Sequence, residues 1–194
     1  MVGVDASSTG VGGGIRIDVP EPSVVALVGP SGSGKSSFAR RHFWEAEIFS
    51  SDAWRARLSG REANQAISAE AFAALYAAAA ERLAAGCTVV IDATNLALEA
   101  RGQALDVAWR AGCSSLAVAF DLPLDVCLAW NRARVDRQVT PSVVRSQHRF
   151  FQRSLRSLGG EGFDALHVIR GVPQLSSVRV ERLGRAGGKP GVHA

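Results

Sequence analysis

Short apolar runs separated by longer amphipathic stretches set the rhythm of this chain. Runs at Ile15–Val19, Val24–Val28, Glu47–Ser50, Thr88–Asp92, Leu116–Asp121 and Leu166–Ile169 read as β-strands, most of them rich in Val, Ile, Leu or Phe. The intervening segments carry apolar residues at helical spacing, near Lys35–Phe43, Ala53–Leu58, Ser68–Ala85, Leu96–Ala111, Leu124–Arg134 and Ser142–Leu158. Ser68 is placed to cap its helix and Gly86 to stop it. The alanine-rich run AFAALYAAAAERLAAG between them is a strong helix former. Strands alternating with helices predict an α/β fold, a central parallel sheet with helices on both faces.

The two ends lack this rhythm. MVGVDASSTGVGGG has neither the basic start nor the apolar stretch of a signal peptide, and reads as a flexible leader over residues 1–14. One domain is expected over residues 15–172, and residues 173–194 as a partly flexible extension. The 194 residues suffice for one core, and no segment is apolar for the ~20 residues that a membrane span needs. A cytoplasmic protein without a membrane partner is therefore expected. Cys87, Cys113 and Cys127 are odd in number and widely spaced, which argues for buried thiols rather than disulfides or zinc ligation.

Twenty arginines and two lysines carry the net charge of +4. Arg132, Arg134, Arg137, Arg145, Arg149, Arg153 and Arg156 fall in one stretch opposed only by Asp136, which suggests an anionic partner.

The candidate chemistry begins at Gly29-Pro30-Ser31-Gly32-Ser33-Gly34-Lys35-Ser36, which satisfies G-x-x-x-x-G-K-[ST] after an apolar run and before a helix. Glycines let the backbone curl so that N–H groups point at phosphates, and the helix presents its positive end. Gly29, Ser31, Gly32, Ser33, Gly34, Lys35, Ser36 and Ser37 are the expected nucleotide-binding residues, with Lys35 on the β- and γ-phosphates and Ser36 on Mg²⁺. ATP or another nucleoside triphosphate with Mg²⁺ is the implied ligand set. The strand ending TVVIDATN follows Asp92 with alanine and threonine, not with a second acid to handle water. An acceptor other than water is favoured.

On the acceptor side, EIFSSDAWRARL places Asp52 just past a strand, 17 residues after Lys35. In a parallel sheet that strand end faces the crevice of the phosphate loop. Asp52 is either the base for an attacking hydroxyl or only the cap of the helix at Ala53. Arg55, about one turn on, would share its face and could hold an anionic group of the acceptor. Arginines before Pro141 lie in a loop suited to close over a triphosphate. Arg145, Arg149, Arg153 and Arg156 form one helical stripe, a solvated face or a phosphate-facing one, and the lack of interleaved acids favours the second.

The motifs GPSGSGKSSFARRHF, SSDAWR, VVIDATN, FDLPLDVCLAWNRAR-VDR and PSVVRSQ occur in the order and spacing of one known family. Across Ile15–Ile169 the chain resembles the 5′-hydroxyl polynucleotide kinase module of bacterial RNA-repair polynucleotide kinase-phosphatases. The resemblance implies a P-loop phosphotransferase with an arginine-rich helical lid that phosphorylates the 5′-hydroxyl end of RNA or DNA. It implies Asp52 as general base, Arg55 on the acceptor's phosphate, and Asp92 one layer out from the metal. It places Arg132, Arg134 and Arg137 in the lid, Arg137 toward the nucleotide, and Val143, Val144 and Gln147 near the acceptor. Gln65 and Arg145 join that set as candidates. A homodimer, and a repair phosphatase or ligase, are partners to consider, since such domains follow the kinase in larger relatives.

One position departs from the family. Where an arginine commonly precedes the asparagine of the lid helix, this chain reads Trp130-Asn131. The indole either stacks on a nucleobase or packs the lid helix on the core, and Arg132 or Arg134 would then carry the missing charge. Two other readings stay open: a P-loop kinase of a small-molecule hydroxyl, and an inactive nucleotide-dependent binder of nucleic-acid ends.

Overall fold

A computed structural model describes residues 14–59, 68–135 and 138–184. In chain order the elements are β1 (Arg16–Pro20), β2 (Ser23–Val28), α1 (Lys35–His42), β3 (Ile48–Ser50), α2 (Ser51–Ser59), α3 (Ser68–Ala84), β4 (Val89–Asp92) and α4 (Leu98–Ala111). After them come β5 (Ser114–Asp121), α5 (Leu124–Ala133), α6 (Pro141–Ser154), β6 (Ala165–Arg170), α7 (Gly171–Ser177) and β7 (Arg179–Leu183). Five strands form a parallel sheet in the order β3-β4-β2-β5-β6, and helices cover both faces. No helix of the described residues is long and apolar enough to cross a membrane.

The alternation within β2 decides which layer each side chain joins. Val24 and Ala26 pack with Leu75, Ala79 and Leu83 of α3 and with Ala104, Val107 and Ala108 of α4. Val25 and Leu27 point the other way, to Phe38 of α1 and Cys127 of α5. Every residue of β2 is buried, as a central parallel strand requires. Phe151 of α6 joins Val28, Ala117 and Ala119 in a third apolar group.

The first strand departs from expectation. β1 is not in the main sheet but pairs in parallel with β7, a strand that the sequence pattern did not reveal. β7 alternates between exposed and half-buried positions, and Pro173 interrupts the pattern just before it, so its periodicity is weak. Ile17 and Val19 of β1 sit in the core on the α1 side, which holds this two-stranded ribbon against the sheet. Arg182 of β7 bonds Glu21 at 2.8 Å and Glu47 at 2.9 Å, and lies over the rings of Phe43 and Trp44.

The C-terminal ends of β2 and β4 are tied together. Asn95, in the left-handed region at φ 47°, donates from Nδ2 to Leu27 O at 2.8 Å and to Ile91 O at 3.3 Å. Arg101 of α4 is 2% exposed and donates to Asn95 O at 2.9 Å, to Leu96 O, and to both carboxylate oxygens of Glu161 at 2.6 Å. A guanidinium so placed satisfies two loop carbonyls and a buried carboxylate at once.

Neighbouring positions on α4 should respond in opposite directions. Arg101→Met keeps the volume but strands Glu161 and two carbonyls, a loss of about 3–5 kcal/mol. Gly102 has open space where a Cβ would go, so Gly102→Ala should gain about 0.5–1 kcal/mol from helix propensity. Denaturant unfolding of the two variants reads both signs.

Candidate active site

Val28 ends β2, and the chain turns through Gly29–Gly34 into α1. Gly32 and Gly34 hold φ of 77° and 87°. A Cβ on Gly32 would stand 2.1 Å from the Cys127 carbonyl oxygen, and one on Gly34 would stand 3.1 Å from Trp130 Cζ3 and from Leu175 Cδ2. Conformation and space both demand glycine here. Lys35 is buried, and its Nζ donates to Pro30 O at 2.8 Å and Ser33 Oγ at 3.3 Å, which holds the ammonium at the mouth of the loop. Gly29, Ser31 and Ser33 build the loop from beneath: Gly29 N donates to Thr94 O at 3.0 Å, and Ser31 N to Gln147 Oε1 at 2.8 Å.

In front of the loop opens a crevice of about 640 Å³. One wall is Gly32, Gly34, Lys35, Ser36 and Ser37; facing it are Ser50, Asp52, Ala53, Arg57 and Asp92; α5 contributes Trp130, Ala133 and Arg134. The register explains the meeting. Leu27 and Ser50 both pair with Asp92, so β2, β4 and β3 end level and their carboxyl ends open on one space.

Asp52 is not the helix cap. Ser50 Oγ accepts a hydrogen bond from Ala53 N at 3.4 Å, which leaves Asp52 in the first turn of α2 with its carboxylate about a fifth exposed (21%). Arg55 pairs through Nη2 with Asp52 Oδ1 and donates to Ser51 Oγ at 3.4 Å. Arg55 is buried and off the crevice wall, whereas Arg57, about 160° round the helix by its 3.6-residue turn, is on it. Sequence reasoning had not singled out Arg57 or Arg40. A helical wheel continued from Ser36 to Arg40 and from Ala53 to Arg57, both four residues on, would have found them.

Ser36 and Asp92 line the same crevice. A hydroxyl and a carboxylate suit Mg²⁺, which takes one or two protein oxygens and completes its shell with phosphate and water. Among the described residues no group of three or more His, Cys, Asp or Glu forms a metal cage.

Of the lid residues, Arg134 lines the crevice while Arg132 is exposed and off it. Trp130 and Arg134 are one helical turn apart, and Arg132 falls about 160° away from the indole. Asn131 is buried, donates to Val139 O at 2.8 Å and accepts from Val139 N at 3.2 Å, so one amide closes the ends of the lid loop. Arg137 and Gln65 lie outside the described residues.

α6 sorts the remaining candidates. Val144 is fully buried in the core, so the expectation that it faces an acceptor is corrected: it seats the helix. Gln147 meets the phosphate loop, and Ser154 on the same flank bonds Leu96 O at 3.5 Å. His148 meets Leu122 O and Gln152 meets Asp121 on the other flank. Arg145, Arg149, Arg153 and Arg156 are exposed, with Arg145 about 160° from Gln147 round the helix, so the stripe does not share the loop-facing flank. Val143, next to the start of α6, is 40% exposed.

The cysteines are free, and Cys127 lies beneath the loop, where burial pushes its thiol up to about 11. It stays protonated at neutral pH and is no nucleophile.

The chain matches the family described as AAA domain over residues 24–156. Its fold is similar to a chain of the Pnkp1/Rnl/Hen1 RNA repair complex, with TM-score 0.62 and 23% identity over 71% of this chain and 46% of that one. It is also similar to Kti12 of Chaetomium thermophilum in complex with ADP-AlF3, with TM-score 0.57, 17% identity, and coverage of 76% and 88%. A putative kinase of Chloroflexus aurantiacus matches with TM-score 0.53 and 17% identity over 77% and 85%. The chain thus spans less than half of the Pnkp1-complex protein it matches. A search of curated proteins found no match.

Gly32 tests the packing of loop on helix. Gly32→Ala adds a left-handed penalty of about 1–2 kcal/mol to a direct overlap with the Cys127 carbonyl. It should abolish measurable ADP binding by calorimetry and lower the melting temperature together.

Proposed function

The chain belongs to the AAA domain family, and on that footing we propose that it is a P-loop kinase that transfers the γ-phosphate of ATP, or of another nucleoside triphosphate, to the 5′-hydroxyl end of RNA or DNA. The observation that carries the reading is the carboxylate of Asp52 on the wall that faces the phosphate loop, freed from capping and paired with Arg55.

The loop amides and Lys35 bind the β- and γ-phosphates. Mg²⁺, held by Ser36 with Asp92 behind it, supplies charge neutralisation between the phosphates when bound. Asp52 accepts the proton of the 5′-hydroxyl as its oxygen bonds to the γ-phosphorus, and the bond from that phosphorus to the β–γ bridging oxygen breaks, releasing ADP. Arg55 fixes the carboxylate and acts through it. Arg134 offsets charge on the transferring group from the lid side, with Arg132 and Arg137 in the segment that adjoins it. Water finds no second carboxylate beside Asp92, since Ala93 and Thr94 follow it.

Two observations bear on the acceptor, and they pull in different directions. The collinear motifs support a 5′-end acceptor, and so does the similarity of fold to a chain of an RNA repair complex. The arginine stripe of α6 lies off the loop-facing flank, which favours a second reading, a small hydroxyl acceptor in place of a long polyanion.

Incubation with Mg-ATP and a panel of 5′-hydroxyl oligonucleotides and small alcohols separates the two. Transfer to oligonucleotides is expected; transfer only to small alcohols overturns the acceptor. Asp52→Asn should lower kcat by about 10²–10⁴-fold with ATP affinity unchanged. Retention of more than about a tenth of the normal rate would remove Asp52 from the role of base.

A further inference from the structure

Among the described residues that line the crevice, Trp130 is the one aromatic side chain. Its ring edge lies against Gly34, where a Cβ would come within 3.1 Å of Cζ3. Yet 36% of the residue remains exposed, so the indole is not consumed by packing. Leu175 of α7 reaches the same point on the loop from a different element, again 3.1 Å from that Cβ position. An apolar corner made of a flat ring and a branched side chain therefore adjoins the glycine that precedes the phosphate-binding lysine.

Topology sets what can occupy this corner. In the sheet order β3-β4-β2-β5-β6, the phosphate loop follows β2. Asp52 follows β3 and Asp92 ends β4, on one side of it. Trp130 on α5 follows β5, and Leu175 on α7 follows β6, on the other side. Phosphoryl transfer places the attacking and leaving oxygens in line across the γ-phosphorus. With the attacking hydroxyl at Asp52, the nucleoside of the donor must extend to the opposite side, toward α5 and α7. The carboxylate-bearing wall offers a base no apolar face of comparable size, and the α5 wall does.

We propose that Trp130 and Leu175 form the platform for the donor's nucleobase, with the indole stacked on the base. The proposal rests on the nucleotide-binding reading of the loop and is independent of which hydroxyl accepts the phosphate. Stacking uses the π-face that every base has, so the platform accepts all four bases and favours purines by contact area. It also gives the departure at Trp130 a function: an uncharged ring serves the base, and Arg134, one turn further along α5, serves the phosphates.

The test compares a ligand with a base to one without, using the full chain. Calorimetry with Mg-ADP and with magnesium tripolyphosphate is carried out on the unaltered protein, Trp130→Ala and Trp130→Phe. Trp130→Ala should weaken ADP binding by about tenfold to a hundredfold and leave tripolyphosphate within about twofold. Trp130→Phe should recover most of the loss, because it keeps an aromatic face. ADP, but not tripolyphosphate, should quench tryptophan emission in the unaltered protein, and Trp130→Phe should remove that response. Equal weakening of both ligands in Trp130→Ala would show that the indole only seats the loop, and unchanged ADP affinity would place the base elsewhere. Should Trp130→Ala not fold, the Trp130→Phe emission response decides alone: quenching that persists overturns the platform. Binding of neither ligand by the unaltered chain would instead overturn the nucleotide reading of the loop, and the platform with it.

Discussion

The tie between the ends of β2 and β4 is the constraint on which the rest of the site depends. Leu27 and Ile91 offer their last carbonyls to one amide, Asn95, and Thr94 returns a carbonyl to Gly29. The two strand ends are thereby held level, and the phosphate loop leaves one while Asp92 ends the other. Arg101 secures Asn95 from behind with Glu161 as its counter-ion, in a place with almost no solvent. A buried charge pair is a poor source of stability by itself. Here its use is positional, because the carbonyls it holds belong to the turn that carries the metal-side residues.

The second constraint is contact without clearance. α5 approaches so closely that the Cys127 carbonyl fills the space a side chain on Gly32 would need. The glycines are thus required by a helix about a hundred residues further on, as well as by phosphate. Loop and lid helix are one packed unit, and Asn131 extends that unit into the lid by bonding both backbone groups of Val139. A change at the base of the lid therefore reaches the phosphate loop directly.

The crevice divides its chemistry between the two sides of β2. Oxygen-bearing side chains from β3, β4 and α2 stand on one side, and an aromatic ring, an alanine and an arginine from α5 stand on the other. Such a division suits a reaction that runs along a line, with proton removal at one end and the departing nucleotide at the other. Arg55 and Arg57 show how finely α2 is sorted: one is turned inward to hold Asp52, the other outward to the crevice, two residues apart.

The alternation of strands with helices, the phosphate loop and the register of its glycines were legible in the sequence, because each rests on local periodicity or on a spacing fixed by phosphate geometry. Asp52, Asp92 and Ser36 were legible for a related reason: in a parallel sheet the residues just beyond the strands converge whatever the rest of the chain does. The pairing of β1 with β7 was not, since β7 is short, half-exposed and weakly alternating, and its partner lies at the other end of the chain. Nor could spacing decide which of several nearby residues faces inward. Arg55 shared a face with Asp52 as the helical period required, but only packing turned that face into the protein, and only packing gave Val144 to the core and Gln147 to the loop. Helical period relates residues of one helix to each other; which way the helix is rotated against the sheet is settled by the apolar side chains it must bury, and that is a property of the whole fold.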